Sequence, residues 1–261
     1  KRTRRPRPPT QMPEAVARTP SSALGGTRGK PDAVYCERIF EIFRSFDVRY
    51  FFYIGGNDSA QSAKIINELA QSTGYELRVT HIPKTIDNDI SRVQRSLGLD
   101  TAVAVARDAL DVASNEARAT WDGVGLVRLM GRESGFITAM ATLASGVVDF
   151  CLIPEVPFAI EGRGGLLDAV ERRLHERHAC VIGVAEGAGH DVLGTASIDA
   201  SGKPVPHDIG AHLRDTIVRE LDARGIQVNI KYIDPGYMVR GTRATANDSV
   251  FCATLGQQAV H

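Results

Sequence analysis

Short apolar segments alternate with longer segments of helical spacing from about residue 48 onward, and this alternation constrains the fold more than any other feature. The segment VRYFFYI at 48–54 is predicted to be a buried strand, and 58–73 a helix with one apolar face. The same pattern predicts strands at 76–82, 124–130, 147–153, 179–185 and 226–231, and helices at 99–117, 133–145, 164–177, 207–224 and from 247. Continuous apolar strands separated by helices indicate an α/β fold with a parallel sheet covered on both faces.

The bulk composition excludes several classes of protein. The 261 residues are enough for one large α/β unit or two modest domains. Because 31 basic residues balance 31 acidic residues, we expect no chain-wide nucleic-acid surface, and nucleic-acid binding would rest on the basic run KRTRRPRPPT alone. We expect no membrane association, because no apolar stretch approaches the roughly 20 residues that a spanning helix needs.

The four cysteines indicate a reducing compartment. None of Cys36, Cys151, Cys180 and Cys252 lies in a C-x-x-C pair, and two of them, Cys151 and Cys180, sit in apolar runs. We therefore expect buried free thiols, no disulfides and a cytoplasmic location.

Ligands of parallel sheets bind at the carboxyl ends of the strands, so the residues after each predicted strand are informative. Gly55 and Gly56 follow the first strand and would let a phosphate approach the backbone at a helix N-terminus. Alternatively, Asp58 or Ser59 simply caps that helix.

The segment PKTIDND at 83–89 follows the second strand and carries a lysine, a hydroxyl and two carboxylates. One carboxylate would suit a general base and the other a metal ligand. The alternative is an ordinary solvated turn, since Asp and Asn favour turns.

Charged groups also follow the later strands. Arg132 is placed in the first turn of a predicted helix, beside a dipole end of its own sign, which favours an anionic ligand there. Glu186 follows the strand at 179–185, and a segment from Tyr232 to Arg240 follows the last strand. The recurrence on one edge of the sheet is more specific than any single residue.

These segments, IGGNDS, PKTIDNDI, LMGRESGF, PEVPF, VAEGAG and KYIDPGYMVR, resemble the phosphofructokinase family from about Ser22 to His261, most closely its pyrophosphate-dependent members. The resemblance implies two Rossmann-like lobes with mostly parallel sheets and the active site between them. The phosphoryl-donor lobe would comprise 1–97 plus 247–261, and the sugar-phosphate lobe 98–246.

The resemblance also implies roles for individual residues. Asp87 would be the base that takes the proton from the 1-hydroxyl of fructose 6-phosphate, supported by Thr85 and Asp89, and Arg132 would stabilise the transferring phosphoryl group. The implied sugar-phosphate site comprises Thr85, Ile86, Asp87, Met130, Gly131, Arg132, Glu186, Tyr237, Met238, Val239 and Arg240, with Lys231 as a weaker candidate.

The phosphoryl donor depends mainly on Asp58. In the family a carboxylate at this position occupies the space of a nucleotide α-phosphate, so Asp58 favours pyrophosphate over ATP. Lys84 adds weaker support, because plant- and protist-type ATP enzymes also carry P-K-T-I-D-N-D, and ATP therefore stays the alternative. The implied donor-binding residues are Gly55, Gly56, Asp58, Lys84 and Arg28.

The implied metal is Mg²⁺, held by Asn57 and Asp89. Asn57 stands where the family usually has an aspartate, and its amide oxygen can coordinate Mg²⁺ without charge. The change leaves open an inactive or regulatory subunit. A nucleotide-binding module without catalysis would need the glycine loop but not Asp87, Asp89 and Arg132.

Other departures concern the extent of the chain and its partners. The family's first glycine loop is not found, and the family continues beyond GQQAVH, so we expect a longer protein. Within SRVQRSLGLD we suspect that two stretches of that longer protein are joined directly. We expect a homo-oligomer, dimer or tetramer. Gly123 stands where many members have the arginine that completes a neighbour's site.

Overall fold

A computed structural model describes residues 12–17, 19–20, 31–189, 193, 195–198 and 204–261. The helices are α1 Met12–Ala17, α2 Ala33–Ser45, α3 Asn57–Ser72, α4 Leu99–Arg118, α5 Phe136–Ser145, α6 Leu166–Arg177, α7 Ile209–Ala223, α8 Gly236–Gly241 and α9 Ala246–Val260. The strands are β1 Tyr50–Gly55, β2 Arg78–Pro83, β3 Gly123–Leu129, β4 Phe150–Leu152, β5 Ala179–Ala185, β6 Thr195–Ile198, β7 Pro204–Pro206 and β8 Asn229–Ile233.

Parallel pairing dominates the described sheets and confirms the α/β prediction. A four-stranded parallel sheet has the order β4-β5-β3-β8, and β1 pairs with β2 in a second, parallel sheet. The short antiparallel hairpin of β6 and β7 was not predicted. The division into lobes at 97/98 and 246/247 stays a prediction.

The four-stranded sheet is covered on both faces, as its continuous apolar strands indicate. One cluster joins Val127 and Leu129 of β3 to apolar residues of α4 and α5, and a second joins Leu126 and Ile182 to residues of α6 and α7. Fully burying one such aliphatic side chain contributes about 1.5–3 kcal/mol. The central strands β3 and β5 are therefore held rigidly, and their carboxyl ends are fixed points for a site.

The strand predicted at 48–54 is not fully buried. Phe51 packs with α2 and α3, whereas Tyr50, Phe52 and Ile54 are exposed. Successive side chains of a strand point to opposite faces, so a strand with helices packed against one of its faces alternates in burial. The helix α2, which supplies much of this packing, was not predicted either.

The cysteine predictions hold in part. All four thiols lie in the described residues and are free, and Cys36 and Cys180 are buried. Cys151 and Cys252 are exposed, contrary to expectation. Cys151 lies in β4, which is an edge strand of the sheet. Within the described ranges, no helix combines the length and the apolar character needed to cross a membrane.

Asp248 joins the last helix to the start of α4. Its carboxylate is 1% exposed and accepts from the Gly98 amide at 3.2 Å, the Thr101 amide at 2.8 Å and the Thr101 hydroxyl at 2.6 Å. The N-cap of α4 is Gly98, which has no side chain to satisfy the first amides of the helix. A residue about 150 positions away therefore supplies the cap, with a charge that also suits the positive end of the helix dipole.

We expect Asp248→Ala to lower the free energy of unfolding by roughly 2–4 kcal/mol, since it removes charged hydrogen bonds and leaves buried donors unpaired. Asp111→Ala, at an exposed position of α4, is the control and should change stability by less than about 0.5 kcal/mol. Urea denaturation measures both, and equal midpoints for the two variants would contradict the capping role.

Candidate active site

The ends of β1 and β2 lie side by side. Gly55 pairs with Pro83, and the Lys84 amide donates to the Gly55 carbonyl at 2.8 Å. A Cβ on Gly55 would lie 2.1 Å from the Ser59 hydroxyl oxygen, so only glycine fits. The structure thus brings three predicted donor-site residues, Gly55, Gly56 and Lys84, to one place.

The capping alternative for Asp58 and Ser59 is wrong, because the N-cap of α3 is Gly56 and has no side-chain capping bond. Asp58 lies in the first turn of the helix, where its charge is favourable. The side chain of Asn57 and all of Arg28 lie outside the described residues, so both remain predictions.

Asp87 is the most enclosed of the predicted catalytic residues. It is 9% exposed, and its Oδ2 accepts from the Thr85 hydroxyl at 3.0 Å. The Asp87 amide donates to the Thr85 oxygen at 3.2 Å, and the Ser134 hydroxyl donates to the Asp87 carbonyl. These contacts fix the turn, so the ordinary solvated turn does not describe Asp87.

The neighbouring Asn88 anchors the same turn from the other side. Its backbone is left-handed, with φ of 58°, and its Oδ1 accepts from the Ser96 amide at 2.8 Å and the Ser96 hydroxyl at 3.0 Å. Asn tolerates this conformation better than most residues. Ser96 and Ser134 are supports that the sequence pattern did not reveal.

The surroundings of Asp87 raise the pKa of its carboxyl above the ordinary value. Burial is the largest cause, and the Thr85 hydrogen bond opposes it. The negative charges of Asp89 and Glu186 raise the pKa further, whereas the positive charge of Arg132 lowers it. A carboxylate with a raised pKa is a stronger proton acceptor, which suits a general base.

Arg132 does not lie in the first turn of a helix as predicted. The helix α5 begins at Phe136, and the Gly135 amide at its start donates to Glu155 at 2.8 Å. Arg132 instead occupies a tight turn closed by the Ser134 amide on the Gly131 carbonyl at 2.9 Å, with φ of 51°. The dipole argument for Arg132 therefore fails, although its side chain is exposed near Asp87.

Glu186 holds this turn. Its Oε1 accepts from the Gly131 amide at 3.3 Å and the Arg132 amide at 2.9 Å, and its Oε2 accepts from Arg128 at 3.2 Å. Both oxygens are thus engaged by the chain itself. Sequence reasoning missed Arg128, because it lies inside a predicted strand rather than after one.

The predicted sugar-phosphate residues divide into exposed and packed sets. Tyr237 is 88% exposed, and Met238 and Arg240 are also exposed on the short helix α8. Three others, Ile86, Met130 and Val239, are partly buried against the apolar cluster between α4 and β3 and act as scaffold. Lys231 lies within β8 opposite Gly125, before the end of the strand.

The position of Gly123 excludes a side chain. A Cβ there would lie 2.1 Å from the Ala117 carbonyl oxygen and 2.6 Å from the Thr120 hydroxyl. An arginine at this point would require the end of α4 to move.

The match to known families covers most of the chain. The phosphofructokinase family model matches residues 9–261. The chain is 41% identical over 242 residues to ATP-dependent 6-phosphofructokinase 7 of Arabidopsis thaliana, covering 91% of the chain and 49% of that protein. It is 41% identical to the ATP-dependent 6-phosphofructokinase of Borreliella burgdorferi, covering 54% of it. The chain thus spans about half the length of these curated relatives.

Solved structures agree on the fold. The pyrophosphate-dependent phosphofructokinase of Marinobacter aquaeolei superposes with a TM-score of 0.74 at 28% identity, over 93% of this chain and 58% of that one. The Rossmann-like architecture predicted from the sequence motifs is confirmed.

We expect Thr85→Val to raise the pKa of Asp87 further, because the hydroxyl that stabilises the charged carboxylate is removed. A ¹³C-NMR titration of the aspartate carboxyls measures the change. Thr254→Val in α9 is the control and should leave that titration unchanged. A lower pKa in Thr85→Val would contradict the hydrogen-bond geometry.

Proposed function

Because the chain belongs to the phosphofructokinase family, we propose that it transfers a phosphoryl group to the 1-hydroxyl of fructose 6-phosphate, giving fructose 1,6-bisphosphate. The observation that carries the proposal is the enclosed carboxylate of Asp87, with its raised pKa, beside the turn of Arg132. A base after β2 and a cation after β3, close to each other, suit phosphoryl transfer to a hydroxyl.

Asp87 would accept the proton of the attacking hydroxyl, and its hydrogen bond to Thr85 would keep the carboxylate oriented. Arg132 would offset the negative charge on the transferring phosphoryl oxygens. Tyr237 and Arg240 would bind the sugar phosphate from α8, where both side chains are exposed. Ile86, Met130 and Val239 would support these contacts from the core.

Mg²⁺ fits the oxygen groups of this site. It prefers one or two carboxylates together with substrate phosphates and water to a cage of protein ligands. The described residues contain no cluster of three or more His, Cys, Asp or Glu side chains able to bind a metal, so the proposed ion would depend on substrate phosphates and water for most of its ligands. Asp89, which is exposed, and Asn57 would hold the ion, which would neutralise charge on the donor phosphates when bound.

We propose pyrophosphate as the donor. The support is Asp58 in the first turn of α3, beside Gly55 and Gly56, where its charge would repel the α-phosphate of a nucleotide. The second candidate is ATP, since the curated relatives from Arabidopsis thaliana and Borreliella burgdorferi are named as ATP-dependent. We also propose a cytoplasmic location, which the free thiols support, and a homo-oligomer, which rests on the family resemblance alone.

We expect Asp87→Asn to lower kcat about 10²–10⁴-fold, because the amide cannot accept the hydroxyl proton. Coupled assay of fructose 1,6-bisphosphate measures the rate, and Asp108→Asn at an exposed position of α4 is the control. Unchanged turnover in Asp87→Asn would remove Asp87 from the role of base.

Rates measured in parallel with pyrophosphate and with ATP decide the donor. We expect pyrophosphate to be faster, and Asp58→Gly to raise the ATP rate at least about fivefold, because repulsion between nearby charges is worth on the order of 1–4 kcal/mol.

Glu68→Gly, on the exposed side of the same helix, controls for loss of helix stability and should leave donor preference unchanged. Faster wild-type turnover with ATP would establish ATP as the donor. No turnover with either donor, together with retained fructose 6-phosphate binding, would indicate an inactive or regulatory subunit.

A further inference from the structure

We propose that Arg128 is a positioning residue for the transfer step: it fixes Glu186, and Glu186 in turn holds the turn that carries Arg132. The inference rests on the proposed function, in which Arg132 stabilises the transferring phosphoryl group. Arg128 itself contacts no expected substrate atom and acts through the other two residues.

Arg128 is surrounded by carboxylates from three separate elements. Its Nη2 lies 3.2 Å from Glu186 Oε2, its Nη1 lies 2.7 Å from Asp234 Oδ2, and its Nε lies 3.5 Å from Asp208 Oδ1. The Arg128 side chain is only 23% exposed. Partly buried charged pairs of this kind interact more strongly than exposed ones, because water screens them less.

The two carboxylate oxygens of Glu186 have different partners. The orientation of the Glu186 carboxylate therefore depends on Arg128, which holds one of the two oxygens. Oε1 accepts the amides of Gly131 and Arg132, and Oε2 accepts from Arg128 alone among the described contacts. Without the guanidinium, the carboxylate can rotate toward water and release the amides.

The turn needs this support because the backbone of Arg132 is left-handed, with φ of 51°, which is unfavourable for a residue other than glycine. Gly131, with φ of 148°, adopts its own conformation without that cost. A Cβ on Gly187 would lie 1.9 Å from the Arg132 carbonyl oxygen, so the backbone after Glu186 packs directly on the turn. Conformations of this kind persist only where the surroundings hold them.

Arg128 also joins this turn to the segment of α8. Asp234 accepts from Arg128 through Oδ2 and from the Gly236 amide at 2.8 Å through Oδ1. Asp208 is the N-cap of α7 and accepts from the Tyr232 hydroxyl at 3.0 Å. One guanidinium therefore contacts carboxylates at the ends of β5 and β8 together, which a lysine cannot do with the same geometry.

Arg173 offers a matched control at the other end of the sheet. Its side chain is 22% exposed and pairs with Asp149, which also accepts from the Val181 amide near the start of β5. As in Arg128, its Nε has no hydrogen-bond partner among the described residues. Arg173→Met thus removes a comparable ion pair without touching the Glu186 contact.

The test compares steady-state kinetics of the whole protein with Arg128→Met, Arg128→Lys, Arg173→Met, Glu186→Gln and the double variant Arg128→Met/Glu186→Gln. We expect Arg128→Met to lower kcat about 10–100-fold, since misplacing a reacting group by about 1 Å costs up to about 10²-fold. Arg128→Lys should recover part of the rate, and Arg173→Met should stay within about threefold of the wild type.

The double variant separates positioning from general destabilisation. If Arg128 acts through Glu186, the double variant should be no slower than the slower of its two single variants, within about threefold. Multiplied effects of the two changes, or a full rate in Arg128→Met, would overturn the inference.

Amide NMR reports on the conformation of the turn and does not require catalysis. Failure of the positioning inference can therefore be distinguished from failure of the proposed function. The Gly131 and Arg132 amide signals should move upfield in Arg128→Met and Glu186→Gln and stay in place in Arg173→Met. If the wild type shows no turnover with either donor while these shifts occur, the proposed function is wrong, but the positioning of the turn by Arg128 through Glu186 is supported. If the Gly131 and Arg132 amide signals do not move in Arg128→Met, Arg128 does not position the turn and the inference is overturned.

Discussion

The parallel pairing of β3 with β5 is the constraint on which the site depends. The two strands run in register from Gly123–Ala179 to Leu129–Ala185, and the Glu186 amide continues the ladder by donating to the Leu129 carbonyl at 2.8 Å. The residues just beyond both strands therefore meet, which places the Glu186 carboxylate under the amides of the turn at Gly131. Burial of both strands between two helical layers keeps this contact rigid.

Much of this arrangement could be predicted from local patterns. Apolar runs of strand length and the helical spacing between them predicted the strands of both parallel sheets, and the charged residues after the strands predicted Asp87, Arg132 and Glu186 as site residues. The single sheet edge expected for them was wrong, because Asp87 follows β2 of the two-stranded sheet, whereas Arg132 and Glu186 follow β3 and β5 of the four-stranded sheet. The start of α5 was misplaced, because a tight turn at 131–134 precedes the helix and the Gly135 amide at its start donates to Glu155, about 20 residues away, which no local signal indicates.

The remaining supports depend on contacts between residues far apart in the chain. Arg128 lies within an apolar strand and acquires its role only when β5 and β8 bring Glu186 and Asp234 beside it. Asp248 caps α4 across about 150 residues. Sequence patterns of period two or 3.6 carry no information on such pairs. A glycine such as Gly187, where a Cβ would clash, can indicate that another backbone segment packs closely there, but the sequence does not identify that segment.

The balance of charge at the edge of the sheet connects these supports to the proposed reaction. Carboxylates outnumber cations there, and an unpaired carboxylate beside Asp87 would repel an incoming phosphate as well as raise the Asp87 pKa. Arg128 offsets part of the negative charge of Glu186, Asp208 and Asp234 through its ion pairs with them, and of these three carboxylates only Glu186 is largely buried. Lys84, Arg132 and Arg240 are exposed and present positive charge outward. The same strand ends can thus keep one carboxylate as a strong proton acceptor and still attract an anionic substrate.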